Sequence, residues 1–210
     1  MWRTIKKLGN YYMEIKYNYT TIFPVPIHQF DISGFDQIKN KLIDYAYDMQ
    51  KQDSVGKTAS NRGGWQSKSF IIGNEDDVLH STLMNCLSGF PTIKKSFGLN
   101  GEAWININKT GNYNAKHHHP NSNLSGVLWI KIPENSGRIE FISPVDFQTD
   151  REIRSYTEEF RDENRIHHSY YFPPIEGRML VFPSHLIHHV TQNKSDEDRL
   201  SVSFNITLNT

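Results

Sequence analysis

Near the end of the chain, residues 199–208 read R-L-S-V-S-F-N-I-T-L, which alternates strictly between polar and apolar side chains. Successive side chains of a β-strand point to opposite faces of the sheet, so this alternation predicts a strand with two unlike faces. Arg199, Ser201, Ser203 and Asn205 share one face. The apolar face has to pack on the domain core, and the polar face therefore lines something other than core.

Further short strands are predicted upstream, where apolar, β-branched and aromatic residues alternate with turn signals such as K-T-G-N and P-E-N-S-G. These segments are 103–108, 124–132, 137–142 and 178–182. Two helices are predicted before them, one after Asp36 and one that begins near Asp76 or Asp77. Helices followed by a run of strands predict a mainly β fold with some α, in which an antiparallel sandwich carries the helices on one face.

Length and composition indicate a single domain. The chain has 210 residues, with 23 basic and 23 acidic side chains, so net charge does not favour a nucleic-acid or membrane partner. No stretch approaches the roughly 18 consecutive apolar residues of a membrane helix. Cys86 is the single cysteine, which excludes an internal disulfide and suits a reducing compartment. We therefore expect a cytoplasmic protein.

Two segments are set apart from the predicted core strands. Residues 1–12 are basic but lack the apolar core of a signal peptide, and we interpret them as a frayed N-terminal extension, with Met13 as an alternative start. The domain is then 13–210, with its core strands at about 101–208. A charged segment from 146 to about 172 is too long for an ordinary turn, and we interpret it as a lid over the site.

Histidines are concentrated in the second half of the chain, where eight of ten lie between 117 and 189. If 117–119 were a strand, His117 and His119 would share a face, with His118 turned away. A third ligand must come from another strand, and His188 is the natural candidate. Three imidazoles on one side of a metal would leave the other positions open for a substrate.

Other interpretations of the histidines stay open. A surface H-H-H triplet binds metals adventitiously. His185 and His189 are predicted to pack or to support a ligand, and His167 and His168 to be solvated. Residues 60–67, S-N-R-G-G-W-Q-S, predict either a tight turn where the backbone approaches something closely or a plain loop.

Arg199 supplies the second half of the predicted site. A planar guanidinium with Ser201 two residues on is suited to bidentate capture of a carboxylate. The alternative is an arginine in a structural salt bridge on an exposed sheet face. The histidines predicted to bind a metal make the salt bridge the less favoured of these two interpretations.

Several segments together resemble the Fe(II)- and 2-oxoglutarate-dependent oxygenases, and more narrowly a group of such oxygenases common in marine bacteria and their phages. The matching segments are G-G-W-Q-S (63–67), W-I-N-I-N (104–108), H-H-H-P-N-S-N-L-S-G-V (117–127), L-V-F-P-S-H-L-I-H-H-V (180–190) and D-R-L-S-V-S-F-N-I (198–206). The resemblance implies a double-stranded β-helix, the cupin-like jelly roll, and a cytoplasmic enzyme, in the host if the gene is phage-encoded.

The resemblance also implies roles for particular residues. His117 and His188 match the first and last metal ligands of the family, and Arg199 with Ser201 would bind the distal carboxylate of 2-oxoglutarate. Trp129, Asn106 and Asn108 would line the same cavity, which is a weaker inference. His119 stands where the family usually has a carboxylate. Either His119 replaces that carboxylate as a ligand, or a nearby acid, Glu140 or Asp146, supplies it.

The activity implied is a non-haem dioxygenase that hydroxylates an unidentified organic substrate and releases succinate and CO2. It would require Fe(II), 2-oxoglutarate and O2, with ascorbate as an accessory reductant. Three alternatives stay open: a three-histidine zinc or other metal hydrolase or hydratase, a three-histidine iron dioxygenase that does not use 2-oxoglutarate, and a non-catalytic metal-binding jelly-roll module. A zinc enzyme would leave Arg199 and Ser201 without a shared role. Oligomeric state is open, with a homodimer as one alternative.

Overall fold

A computed structural model describes residues 3–8, 11–17, 20, 24–74, 77–88, 90, 92–145 and 150–209. The strands are β1 (Arg3–Leu8), β2 (Tyr11–Tyr17), β3 (His28–Asp31), β4 (Asn61–Arg62), β5 (Trp65–Gln66), β6 (Phe70–Ile71), β7 (Gly98–Asn108), β8 (Tyr113–His117), β9 (Leu124–Lys131), β10 (Ile139–Ile142), β11 (Ser169–Phe172), β12 (Arg178–Pro183), β13 (His188–Val190) and β14 (Arg199–Asn209). The helices are α1 (Asp36–Gln52), α2 (Val78–Ser88), α3 (Asp150–Ser155) and α4 (Glu158–Asn164).

Two antiparallel sheets form the body of the fold. The larger has seven strands in the order β3-β12-β9-β14-β7-β5, with β6 also paired to β7. The smaller has five strands in the order β11-β10-β13-β8-β4. Among the described strands, β1 and β2 form a separate two-stranded sheet. The predicted mainly β, antiparallel jelly-roll fold is confirmed.

Helices α1 and α2 cover the outer face of the seven-stranded sheet. Apolar residues of both helices share one core with alternate residues of strands β7, β9, β12 and β14. The largest fully buried side chains of this layer include Leu42 and Leu83 from the helices and Phe204 from the sheet. Both helices therefore lie on one face, as the sequence predicts. Within the described residues, no helix has the length and apolar character needed to span a membrane.

A second apolar cluster lies between the two sheets. Its buried members are Val127, Trp129, Ile139, Phe141, Leu180, Phe182 and Leu186. This cluster fills only part of the space between the sheets. The rest of this space is a cavity lined by the polar face of β14. The apolar face of the same strand packs in the core beneath the helices, so the predicted two-faced strand separates that core from the cavity.

The second helix begins where the sequence predicts, beside Asp77, whereas the predicted lid is described only in part. Helix α2 begins at Val78, and Asp76 lies outside the described residues. Of the segment predicted as a lid, 146–149 also lie outside, and 150–172 contain α3, α4 and β11, which pairs with β10. The role of this segment as a lid stays a prediction.

Candidate metal centre

Three histidines meet between the sheets. His117 ends β8, His188 begins β13, and the antiparallel pairing of these strands sets the two residues opposite each other. His119 follows β8 by two residues. The ligand atoms of all three lie within 4.8 Å of one another, and they form the one such group of His, Cys, Asp and Glu found among the described residues. The predicted histidine set is therefore brought together by the fold.

Hydrogen bonds to the backbone orient two of these rings. Nδ1 of His117 lies 2.8 Å from the carbonyl oxygen of Ala115, and Nδ1 of His188 lies 2.9 Å from that of Leu186. Because a carbonyl oxygen can only accept, each Nδ1 carries the proton and donates it. Each Nε2 is then left with its lone pair free, which is the state that a metal ligand requires.

Burial keeps the three imidazoles neutral. Desolvation, reinforced by the neighbouring histidines, lowers the pKa of His188 to about 3 and that of His119 to about 4. Desolvation also lowers the pKa of His117. Imidazoles binding a metal must be unprotonated, so the site is in its ligating form at neutral pH without displacing protons.

The three histidines are brought together differently from the sequence prediction, which placed His117 and His119 on one strand. Strand β8 ends at His117, so His119 is not on the same strand, and its backbone N–H donates to the carbonyl oxygen of Ser184 at 2.9 Å. In the pairing with β13, His188 faces His117 and Val190 faces Asn114, which leaves one extra residue in β8. This β-bulge lets Asn114 and His117 line the same cavity.

No described carboxylate joins the three histidines. Glu140 accepts a hydrogen bond from Arg138 at 2.9 Å and lies 3.5 Å from Nε2 of His189. It pairs in register with His189 rather than with His188. Glu140 is thus engaged away from the centre, and Asp146 lies outside the described residues. Among the described residues the ligand set is three imidazoles.

The remaining histidines lie apart from this group. His118 and His185 are exposed. His189 approaches Glu140 as described, and Nε2 of His167 lies 3.4 Å from a carboxylate oxygen of Asp162. His168 is exposed and is not part of the ligand group.

Arg199 is a buried cation without an anion. Its side chain is 3% exposed, and its Nη1 donates to the carbonyl oxygens of Ser136 at 2.5 Å and Thr191 at 3.2 Å. Among the described residues no carboxylate pairs with it, and Nη2 and Nε have no protein acceptor. Burial lowers its pKa to about 10, so it remains charged at neutral pH. A buried charge of this kind is costly unless a partner is bound.

One cavity joins Arg199 to the three histidines. Its walls include Ser201, Asn106 and Trp129, and these three residues face one another across adjacent strands β14, β7 and β9. Asn106 donates from Nδ2 to Oγ of Ser203 at 3.0 Å. The remaining lining residues are Ser60, Trp104, Asn114, Gly126, Val127, Ile139, Phe182, Val190 and Ser203.

Asn108 does not line this cavity, although it lies opposite Arg199 in register. Its Oδ1 is buried against Gly64, where an added Cβ would overlap it. The close approach of backbone predicted for the paired glycines of 60–67 is therefore present. Alternation along a strand cannot reveal which residue a neighbouring loop will cover.

Trp104 and Asn114 are cavity residues that the sequence did not single out as such. Trp104 precedes Asn106 by two residues on β7, so the alternation that placed Asn106 was a usable signal for it. Its ring centroid lies 5.8 Å from that of His119. Asn114 carried no such signal, because its orientation depends on the bulge in β8.

The cavity therefore has two chemical ends. One presents three neutral imidazoles to a metal ion, and the other presents an unpaired guanidinium to an anion. A bound molecule would have to chelate a metal at one end and carry a carboxylate at the other. Because Arg199 offers Nη2 and Nε without protein acceptors, bidentate recognition of that carboxylate fits the donor set.

Comparison with known proteins agrees with this chemistry. Residues 102–205, which contain every residue of the ligand group and Arg199, match the model of a family described as "Putative 2OG-Fe(II) oxygenase". No curated protein sequence matches the chain.

Solved structures show the same fold. A prolyl-4-hydroxylase from Pseudomonas putida superposes with a TM-score of 0.59 at 14% identity, over 87% of this chain and 92% of that one. A prolyl hydroxylase from Trichoplax adhaerens, in complex with a hypoxia inducible factor oxygen degradation domain peptide fragment, gives 0.58 at 12% over 86% and 83%. SnoK, a non-heme alpha ketoglutarate dependent carbocyclase from nogalamycin biosynthesis, gives 0.58 at 11% over 87% and 79%.

2-Oxoglutarate carries a keto acid at one end and a carboxylate at the other, and these two groups complement the two chemical ends of the cavity. At the identities above the structural likeness establishes the fold, while the family model covers the site itself. The chain belongs to the 2OG-Fe(II) oxygenases, and it is an oxidoreductase that uses Fe(II), 2-oxoglutarate and O2.

Proposed function

We propose that this oxygenase hydroxylates a C–H bond of an organic substrate, with 2-oxoglutarate and O2 converted to succinate and CO2. The observation that carries the proposal is the unpaired, buried guanidinium of Arg199 in the same cavity as three imidazoles. A zinc hydrolase would use the histidines but would leave this buried charge without a purpose.

Each part of the cavity has a role under this proposal. His117, His119 and His188 would hold Fe(II), and Arg199 with Ser201 would hold the distal carboxylate of 2-oxoglutarate. The bound iron and co-substrate supply, with O2, an oxidant able to break an unactivated C–H bond.

The apolar walls restrict access of water to the site. Phe182, Val190 and Ile139 line the cavity beside the ligands. Their side chains lower the local dielectric, which strengthens the attraction between Arg199 and a bound carboxylate. The carbonyl oxygens of Ser136 and Thr191 hold Nη1 in place, so the guanidinium is oriented before a ligand arrives.

Hydroxylation is the outcome favoured by two of the similar structures, which are prolyl hydroxylases, one of them seen with a peptide fragment. SnoK, with the same fold, is a carbocyclase, so the fold alone does not choose the reaction outcome. We therefore propose hydroxylation of an organic substrate, with the reaction outcome set by the substrate's position in the site.

Succinate formation tests the proposal directly. Protein purified without oxygen is given Fe(II), ascorbate and 2-oxoglutarate and then exposed to air, with Zn²⁺ in place of iron as a control. We expect iron-dependent succinate even without the prime substrate, and its loss in Arg199→Ala and His188→Ala. Arg138→Ala, which removes an arginine bonded to Glu140 outside the cavity, should retain it.

Binding measurements separate the two halves of the site without turnover. In the absence of O2, the visible charge-transfer band of the Fe(II)–2-oxoglutarate chelate reports co-substrate binding. His188→Ala should lose metal, whereas Arg199→Ala should keep metal and lose 2-oxoglutarate. Tight metal binding by the native protein, with neither the band nor succinate, would contradict the proposal and favour a zinc hydrolase, a hydratase or a non-catalytic module.

A further inference from the structure

A surface pocket opens directly onto the metal centre. Its volume is ≈ 400 Å³, and four residues line both this pocket and the inner cavity: Ser60, Trp104, His117 and His119. We call this pocket the mouth. Its lining includes His117 and His119, so a substrate bound there would lie beside the metal centre.

The mouth carries an excess of positive charge. Lys57, Arg62 and Lys116 line it, and all three are exposed. Within the described part of the chain none of them pairs with a carboxylate. Glu102 is the one acidic residue in the lining, and its Oε1 lies 3.4 Å from Nδ2 of Asn205. Three cations against one anion leave an excess of positive charge in a concave site, which favours an anionic ligand.

The loop that bears two of these cations is held in a defined conformation. Buried Asn61 accepts from the backbone N–H of Ala59 at 2.7 Å and donates to the carbonyl oxygens of Lys57 at 3.1 Å and Gly64 at 2.7 Å. The backbone N–H of Lys57 donates to Gln66 on β5 at 2.8 Å. The backbone that carries the charges is thus tied to the sheet, which lowers the cost of binding a ligand there.

The guanidinium of Arg62 is also constrained. Its Nη1 donates to the carbonyl oxygens of Ala59 and Asn61 at 3.0 and 2.9 Å. Its other donors have no protein acceptor among the described residues. Lys116 lines the mouth from β8, the strand that pairs with β4, and it directly precedes His117.

Trp104 adds an aromatic surface to both the mouth and the inner cavity. It is half-buried, lies at the junction of the mouth and the inner cavity, and its ring is close to that of His119. A ligand with its anionic group at Lys57, Arg62 and Lys116 would therefore lay its apolar part against this ring, beside the metal ligands.

The geometry points to an anionic substrate whose phosphate or carboxylate binds Lys57, Arg62 and Lys116, while the carbon to be oxidised lies past Trp104. This inference rests on the proposed function, since it specifies the substrate class of the same site. It predicts a ligand with a negative group at one end and a flat or apolar group at the other.

Three matched probes test the charge and its type: phenyl phosphate, benzoate and benzyl alcohol. Their dissociation constants are measured by ligand-observed NMR titration, with the protein loaded with Zn²⁺ in place of iron and saturated with 2-oxoglutarate so that Arg199 is occupied. We expect both anions to bind more tightly than the alcohol. A preference for phenyl phosphate identifies a phosphate-bearing substrate, and a preference for benzoate a carboxylate-bearing one.

Variants locate the site. The double variant Lys57→Gln/Lys116→Gln should weaken binding of the preferred anion by about three- to tenfold, the range expected for losing two exposed charge contacts. Lys94→Gln/Lys95→Gln removes the same charge from two exposed lysines outside the mouth and should leave binding unchanged. Trp104→Ala should weaken binding of all three probes alike.

Equal binding of the anions and the alcohol, or equal losses in the two lysine pairs, would overturn the inference. Repeating the titration without Zn²⁺ and 2-oxoglutarate distinguishes failure of the proposed anion site from failure of the proposed oxygenase function. If 2-oxoglutarate displaces the anion, the probe binds in the inner cavity and the mouth is not the site. If binding follows Lys57 and Lys116 while no succinate forms, the anion site stands and the oxygenase proposal fails.

Discussion

The two faces of the seven-stranded sheet perform different tasks with residues that alternate along the same strand. On β14, Leu200, Val202 and Phe204 are fully buried under α1 and α2. Their neighbours Arg199, Ser201 and Ser203 line the cavity on the other face. The difference shows that one strand can stabilise the domain through one set of side chains and bind ligands through the other.

The energetics of the two faces differ accordingly. The helix-covered face gains stability in proportion to the apolar area removed from water. The cavity face buries a cation and several polar groups, which lowers stability until a ligand provides partners. The apolar face therefore offsets the cost of a preformed site.

The largest expected effect is on the helix-covered face. Phe204→Ala removes a fully buried ring and should lower the free energy of unfolding by about 3–5 kcal/mol. Chemical denaturation of the metal-free protein measures this loss.

Ser203→Ala is the control for this prediction, on the adjacent residue and the opposite face. It removes the acceptor of one hydrogen bond from Asn106, and it should cost about 1 kcal/mol. Equal destabilisation by the two variants would mean that the two faces do not divide stability and binding as described.

A smaller effect is expected for Gly137, which lies against the guanidinium of Arg199. Gly137 has a φ of +87°, and a Cβ there would overlap the carbonyl oxygen of Thr191 and come within 2.8 Å of Nη1 of Arg199 and 2.9 Å of the carbonyl oxygen of Gln192. Gly137→Ala should shift Arg199 and weaken 2-oxoglutarate binding by about three- to tenfold, as a partly lost charged hydrogen bond predicts. The anaerobic charge-transfer titration measures this change.

Gly111→Ala provides the matched backbone control. Gly111 has a φ of +84°, but an added Cβ would meet only Nε2 of Gln192 at 3.8 Å. Both variants should lose about 1–2 kcal/mol of stability from the positive φ. Gly137→Ala should lose more than Gly111→Ala, because its Cβ would also overlap backbone carbonyl oxygens. Only Gly137→Ala should weaken 2-oxoglutarate binding, and similar affinities in the two variants would show that Gly137 has no role in positioning Arg199.

The smallest effect is expected for Ser201. Ser201→Ala removes a single hydroxyl from the cavity wall beside Arg199. The dissociation constant of 2-oxoglutarate should rise by about two- to tenfold, the range for one neutral hydrogen bond, while the unfolding free energy changes by less than for Phe204→Ala. An unchanged affinity would mean that the carboxylate binds to Arg199 without this hydroxyl.

Much of the fold was predictable because its signals are local. Alternation along 199–208, helical spacing after Asp36 and turn residues between strands each depend on near neighbours. The polar face of β14 followed directly from the alternation. Membership of His117 and His188 in one group followed from the motif segments that the chain shares with the oxygenases.

The remaining features depend on contacts between distant segments. The bulge in β8 directs both Asn114 and His117 into one cavity. It arises from pairing with β13, which lies more than seventy residues further along the chain. His119 was assigned to a strand, yet it reaches the site from the turn that follows, held through Ser184. Asn108 has the right alternation for the cavity but is covered by Gly64.

Local patterns were sufficient for helices α1 and α2, for the main strands, for the two-faced character of β14 and for the chemical identity of most site residues, because backbone periodicity and side-chain chemistry are properties of short segments. Three features required the packed molecule: the convergence of three ligand nitrogens within 4.8 Å, the isolation of Arg199 from any described carboxylate, and the basic mouth beside the metal centre. Each brings together segments from far apart in the chain, and tertiary packing alone sets which of them meet.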